Sequence, residues 1–210
     1  MPLSTPPLTE LAELLRGADP DRTWPAIHDR FLTWAVQPGL RGKLREHLQE
    51  LPADGVSAIT TRSRETTTHF AWCLRDRRDE AFSFWLHEYK PHRDWRPGYA
   101  DSVHNHRYHF CTALLRGEYL HERHAVTIDP HSELIAAVAL LDQRTFRKGD
   151  AGFLLTSDFH RIPRASDGAM TFVLKSRPVS PWSLSFDPAT RTGHRHVPVE
   201  SRLADLASGM

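Results

Sequence analysis

The segment SVHNHRYHFCTALLRGEY, residues 102–119, concentrates side chains that can bind a metal ion. It contains His104, His106 and His109 within six residues, followed by Cys111. Side chains two residues apart on a β-strand point to the same face, so His104 and His106 can share one ion. Neutral imidazole suits iron, copper, nickel and zinc. Because the chain has 14 histidines, a His-x-His pair alone is a weak signal, and the surrounding elements decide its meaning.

The elements that must position these histidines change in character along the chain. Apolar residues recur at helical spacing over residues 8–51, as in LTELAELLRG, which predicts helices packed on one side of the main domain. After Pro52 come short segments rich in β-branched and aromatic residues, separated by turn signals. Many short strands are typical of a sandwich or a barrel. We therefore predict a helical segment over residues 1–51 and a β-sandwich or barrel over residues 52–210.

A second segment, KGDAGFLLTSDFHRI at residues 148–162, has a glycine turn, an apolar strand and then a histidine that opens the next strand. The two segments resemble the signature segments of the cupin superfamily, whose fold is a small double-stranded β-helix barrel. In cupins the first segment supplies His-x-His and usually a glutamate four or five residues later, where this chain has Phe110 and Cys111. The second segment supplies one more histidine. The resemblance therefore implies a cupin-like metal-binding β-barrel over residues 52–210. It also implies three neutral metal ligands, His104, His106 and His160.

The likeness is closest to the thiol dioxygenase branch of the cupins, typified by cysteine dioxygenase. That branch holds ferrous iron with three histidines and has a cysteine seven residues after the first ligand, where this chain has Cys111. FHRIPRASDGAMTFVLKSRP is similar to the branch's second segment, and FDPATRTG to part of its tail. The likeness covers about residues 66–196. It implies Fe(II), with Zn, Ni, Mn or Cu as alternatives, and O₂ as co-substrate.

The chain departs from that branch around the expected substrate. The tyrosine that cysteine dioxygenase links to its cysteine is matched by Lys175, and the family's Ser-x-His-x-Tyr pattern is matched by Thr171, Val173 and Lys175. The arginine that binds the substrate carboxylate is expected near residues 70–72, which are Phe-Ala-Trp here, and Arg75 is the nearest cation. The resemblance thus implies a retained iron site with a changed substrate shell, so cysteine is not the expected substrate.

Three further residues are candidates for the catalytic site: Cys111, Lys175 and Thr171. Lys175 and Thr171 share one face of a predicted strand, so both face the metal if the strand follows the family register. Lys175 then either binds an anionic group of the substrate or packs its stem on the barrel wall with the ammonium at the rim. Cys111 and His109 have the opposite parity to the metal pair, so Cys111 is either a buried core thiol or is turned inward by a bulge.

Composition narrows the setting of this activity. The net charge is +1 at pH 7, from 27 basic and 26 acidic residues, which gives no electrostatic case for nucleic acid or a membrane surface. The start of the chain lacks the pattern of a secretory signal, and no apolar run is long enough to span a bilayer. The two cysteines are therefore expected to be reduced in a cytoplasmic protein. The oligomeric state is left open.

The leading hypothesis is a mononuclear non-haem Fe(II) dioxygenase with three histidine ligands, acting on a small chelating substrate other than cysteine, such as another thiol or an amino-acid-like molecule. Three neutral ligands leave open positions on the metal for substrate and O₂. One alternative is a non-oxidative metal-dependent cupin, an isomerase or lyase. Another is a ligand-binding cupin without catalysis. The loop over residues 91–103 lies at the expected mouth of the barrel, as a binding loop or as a plain surface excursion.

Overall fold

A computed structural model describes residues 6–20 and 24–199, together with residues 202, 206, 208 and 209. Residues 1–5 and 21–23 of the predicted helical segment lie outside the described residues. So do residues 200, 201, 203–205, 207 and 210 of the predicted barrel unit.

Helices precede the first strand of the described chain. Their bounds are α1 (Pro7–Leu14), α2 (Trp24–Ala35), α3 (Leu40–Gln49) and α4 (Ala53–Arg62). The helical pattern over residues 8–51 predicts the first three, but α4 lies beyond residue 51 and was not predicted. It has no buried side chain, so it lacks the apolar stripe by which a helix is recognised. No helix in the described ranges is long and apolar enough to cross a membrane.

The described strands form two six-stranded sheets in which every pairing is antiparallel. The first sheet contains β1 (Arg64–Glu65), β2 (His69–Asp76), β3 (Phe82–Tyr89), β5 (Phe110–Arg116), β8 (Ala151–Leu154) and β10 (Met170–Ser176), in the order β1-β2-β3-β10-β5-β8. The second contains β4 (Val103–His104), β6 (Glu118–Ile128), β7 (Ile135–Arg147), β9 (Phe159–Ala165), β11 (Ser183–Asp187) and β12 (Thr192–His196), in the order β12-β11-β4-β9-β6-β7.

The chain crosses between the sheets as it passes from β8 to β9, β10 and β11, which is the topology of a double-stranded β-helix barrel. The prediction of a mainly β, double-stranded β-helix barrel with an N-terminal helical segment is therefore confirmed. The edge strands matter for the site. The first sheet ends in β1 and β8, and the second ends in β12 and β7. We call the two places where the edge strands of the sheets face each other the seams of the barrel.

The helices cover the outer face of the first sheet, where they form the main apolar core. The ring of Phe172 in β10 lies 4.7 Å from that of Trp34 and 6.2 Å from that of Phe31, centroid to centroid. Phe84 and Leu174 complete the buried contact from the sheet side. The helical layer thus stabilises one face of the sheet and leaves the other face to the barrel interior.

Candidate metal centre

His104, His106 and His160 converge inside the barrel, and their candidate ligand nitrogens all lie within 4.8 Å of one another. His104 in β4 pairs directly with His160 in β9, so the second sheet brings them together. Strand β4 ends at His104, and His106 lies in the loop that follows. The spacing of the two histidines predicted that they lie on one continuous strand, and this is not the case. Both imidazoles nevertheless reach the same point.

Hydrogen bonds fix the orientation of two of the rings. The Nδ1–H of His104 donates to the carbonyl oxygen of Ser102 at 2.9 Å, which leaves Nε2 with a free lone pair. Nδ1 of His160 lies 3.1 Å from Nε2 of His121, so His121 orients His160 from behind. Such outer contacts fix the tautomer of metal-binding histidines.

The three residues fit a metal ion. Nε2 of His106 and Nε2 of His160 face each other at 2.9 Å. Metal–imidazole bonds of about 2.1 Å at right angles would separate two nitrogens by about 3.0 Å. Burial lowers the pKa of His104 to about 4 and also lowers the pKa values of His106 and His160, so the rings are neutral. Neutral, buried imidazoles with converging lone pairs form a donor set for a transition metal.

Aromatic rings enclose the centre. Tyr99, in the loop over residues 91–103, packs on His104 with ring centroids 4.4 Å apart. Tyr108 stacks on His106 at 5.2 Å, and the edge of Phe110 meets the same ring at 4.9 Å. The loop is therefore more than a surface excursion, because it covers one of the three histidines.

Two cavities meet at the histidines. The large chamber, of about 520 Å³, runs from the histidines to the seam between β8 and β7, where Phe153 and Arg144 line it. The small chamber, of about 250 Å³, runs to the seam between β1 and β12, where Arg64 and His196 line it. His104, His106 and Lys175 line both chambers. The centre is thus reached from both sides of the barrel.

Lys175 lies at the junction of the chambers and is 4 % exposed. Its Nζ is 4.1 Å from the ring centroid of Trp85 and 5.1 Å from that of Tyr108. No carboxylate or other hydrogen-bond acceptor contacts this ammonium among the residues that the structure describes. Burial, with a smaller contribution from Arg64, lowers the pKa of Lys175 to about 7. Lys175 and Thr171 face the barrel interior, as expected if the strand follows the family register. The Lys175 ammonium lies inside the barrel rather than at its rim.

Thr171 also lines the large chamber, and its direct cross-strand partner is His87. Thr171 Oγ1 and His87 Nε2 are both buried, and neither has a hydrogen-bond partner among the described residues. Thr112 lines the same chamber, but its hydroxyl is hydrogen-bonded to Tyr119.

Cys111 is not at the centre, which corrects its assignment as a catalytic candidate. It is fully buried in the core between the first sheet and the helices, on the face of β5 opposite to Phe110 and Thr112. No bulge turns it inward, so strand alternation decides its direction. Burial raises the pKa of its thiol far above the usual range. His109 also points outward, against Trp24 of α2 at 5.3 Å between ring centroids.

The cations near the site differ from the one that sequence reasoning considered. Arg75 donates to Glu80 at 2.9 Å and does not line either chamber. Arg64, which pairs with Ala71 across β1 and β2, lines the small chamber instead. Strand β1 has only two residues, so no periodicity could have identified Arg64. His121 and His87 were also missed, because nothing in their local sequence separates them from ordinary histidines.

The fold and this group of residues together define a double-stranded β-helix barrel with a three-histidine group that could hold a metal ion. No protein-family model matches the sequence, and no curated protein matches it.

Among solved structures, the chain is similar to oxalate decarboxylases. The Lactobacillus farciminis enzyme in a formate complex has 14% identity and a TM-score of 0.38, over 57% of this chain and 32% of that one. The Bacillus subtilis enzyme studied for its Mn(II) centres has 15% identity and a TM-score of 0.38, over 70% and 34%. The same enzyme at pH 4.6 has 14% identity and a TM-score of 0.39, over 70% and 34%. This chain spans about a third of their length, and such distant similarity carries no argument about its activity.

Proposed function

We propose that this protein is a mononuclear non-haem iron dioxygenase that acts on a small chelating anion other than cysteine. The observation that carries the proposal is the convergence of three neutral imidazoles, without a carboxylate, on one point inside a cavity. His104, His106 and His160 would hold the ion. Bound Fe(II) would supply open coordination positions and the activation of O₂.

The remaining residues orient the reactants and exclude water. His121 and the carbonyl of Ser102 hold two of the histidine rings in their binding orientation. Tyr99, Tyr108 and Phe110 cover the histidines with apolar ring surface. A drier site strengthens the attraction between fixed charges and a bound anion.

Lys175 binds the negative group of the substrate in this proposal. A buried ammonium without a carboxylate partner is unfavourable unless an anion joins it. Its place differs from the expected arginine position on β2, where residues 70–72 supply no cation. The anionic group is therefore held from β10, on a different wall of the barrel, which supports a substrate other than cysteine.

The test is oxygen uptake by protein loaded anaerobically with Fe(II). For a thiol the expected reaction is RSH + O₂ → RSO₂H, in which both oxygen atoms enter the sulfinate and sulfur loses four electrons to O₂. We expect uptake with 3-mercaptopropanoate or 2-mercaptobenzoate, and no uptake by the His104→Ala variant. Rapid sulfinate formation from millimolar cysteine would contradict the exclusion of cysteine. No uptake with these thiols or with 2,4-pentanedione, a chelating enolate, would contradict the dioxygenase proposal.

A further inference from the structure

The large chamber has space beyond what a small chelating group needs. Its volume of about 520 Å³ lies within the range of about 300–1,000 Å³ for pockets that enclose drug-sized ligands. Beyond the histidines its wall is mostly apolar and aromatic, including Tyr119, Phe146, Phe153, Leu155 and Ile162. Apolar walls gain free energy when they bury apolar ligand surface.

The two chambers differ in the charges that line them. In the large chamber Arg123 is paired with Asp158 at 2.8 Å, and Arg144 with Asp150 at 3.2 Å. In the small chamber Arg64 and Arg107 have no ion-pair partner among the described residues, and Lys175 at the junction has none either. Among the described residues, the lining cations without an ion-pair partner therefore lie in the small chamber and at its junction with the large chamber.

We infer that the substrate is an amphiphilic anion. Its charged group binds Lys175 on the side of the small chamber, and an alkyl or aryl tail extends past the histidines into the large chamber. The inference rests on the proposed function for the role of Lys175. It adds the substrate class, a carboxylate-type anion with an apolar part of several carbons.

Straight-chain carboxylates test the tail directly. Butanoate, hexanoate and octanoate are titrated calorimetrically into protein loaded with Fe(II) under argon, with 1-hexanol as the uncharged counterpart of hexanoate. Each buried CH₂ contributes about 0.8 kcal/mol, close to fourfold in affinity. We expect octanoate to bind at least tenfold tighter than butanoate, and hexanoate to bind at least tenfold tighter than 1-hexanol.

Gly152 offers a way to fill the chamber without strain. A Cβ at this position would meet the Phe146 ring at 3.5 Å, an ordinary contact, and the glycine lines the large chamber. Gly152→Leu should remove most of the advantage of octanoate and leave butanoate binding unchanged. Gly42→Leu is the matched control, because a Cβ there has no neighbour within 4 Å and Gly42 lies in α3, away from both chambers.

The outcomes distinguish failure of the amphiphilic-anion inference from failure of the proposed role of Lys175. If the three carboxylates bind with equal affinity and Lys175→Met abolishes their binding, the inference of an amphiphilic substrate is overturned and the anion site at Lys175 stands. A tail preference that survives in Gly152→Leu would overturn the placement of the tail. Absence of carboxylate binding to the metal-loaded protein would overturn both the anion site and the inference.

Discussion

The two faces of strand β10 have opposite characters. Phe172 and Leu174 point outward and are fully buried against the helices. Thr171 and Lys175 point inward to cavities, where one hydroxyl and one ammonium have no hydrogen-bond partner among the described residues. Polar groups without partners reduce stability, whereas packed aromatic residues increase it. One strand thus carries the core on one face and the candidate site on the other.

This contrast predicts that substitutions on the outer face of β10 change stability, whereas substitutions inside the barrel change metal and ligand binding. The largest effect is expected on the inner side of the barrel. His106→Ala or His160→Ala should each remove most bound metal, more than 100-fold in affinity, because two imidazoles cannot replace a set of three. Equilibrium dialysis with Fe(II) under argon measures the binding, and far-UV circular dichroism shows that the fold is kept. An unchanged metal stoichiometry in these variants would show that the inner face does not carry the metal site.

On the outer face the largest effect is on folding. Phe172→Ala should lower the free energy of unfolding by about 3–5 kcal/mol, because it removes a buried ring in contact with Trp34 and Phe31. The fraction that remains folded should bind metal like the parent. Phe172→Leu, which refills much of the volume, is the milder control. A loss of metal affinity without loss of stability would place Phe172 in the site.

His121 tests whether the site extends behind the ligands. His121→Phe removes the hydrogen bond to Nδ1 of His160 and should weaken metal binding about 10–100-fold. His131→Phe is the matched control, because His131 is exposed on the surface. Equal metal affinities in the two variants would leave His121 a packing residue.

The pH dependence of anion binding tests Lys175. Burial and the neighbouring Arg64 lower the pKa of Lys175 to about 7, while Cys73 and Asp76 act in the opposite direction. The ammonium is therefore lost as the pH rises through about 7, and hexanoate should bind about tenfold tighter at pH 6 than at pH 8. Lys175→Met should remove this dependence. Parallel pH profiles for the parent and the variant would assign the dependence to another group.

The same shift has a consequence for stability. The unfolded chain keeps the lysine proton up to about pH 10.5, whereas the folded chain releases it near pH 7. Between these values the unfolded state binds more protons, so the free energy of unfolding should rise with pH in this window. Urea titrations of the parent and of Lys175→Met measure this difference, which the variant should lack.

The smallest effect is expected at Cys111. Cys111→Ala should lower the free energy of unfolding by about 1–2 kcal/mol through a small cavity, with metal binding unchanged. The measurement pairs urea denaturation with metal dialysis. A marked loss of metal or of oxygen uptake would return Cys111 to the site.

The sequence predicted what depends on periodicity and on motifs. Alternation predicted that Thr171 and Lys175 share a face and that His109 points outward, and the family register predicted that the shared face looks inward. Helical spacing predicted the first three helices. The sequence could not predict contacts between residues distant along the chain. His121 approaches His160 only because β6 pairs with β9, and Arg64 reaches the small chamber from a two-residue strand. The burial of the Lys175 ammonium likewise depends on Trp85 and Tyr108, which lie on other elements.

The central claim is that one metal ion is held by three histidines inside the barrel. Anomalous diffraction at the iron edge, from crystals loaded with Fe(II) under argon, tests it most directly. We predict a single strong peak about 2.0–2.2 Å from Nε2 of His104, His106 and His160, the ordinary length of a metal–imidazole bond. A peak elsewhere, for example at the Cys111 sulfur, or no peak within the barrel, would contradict the account.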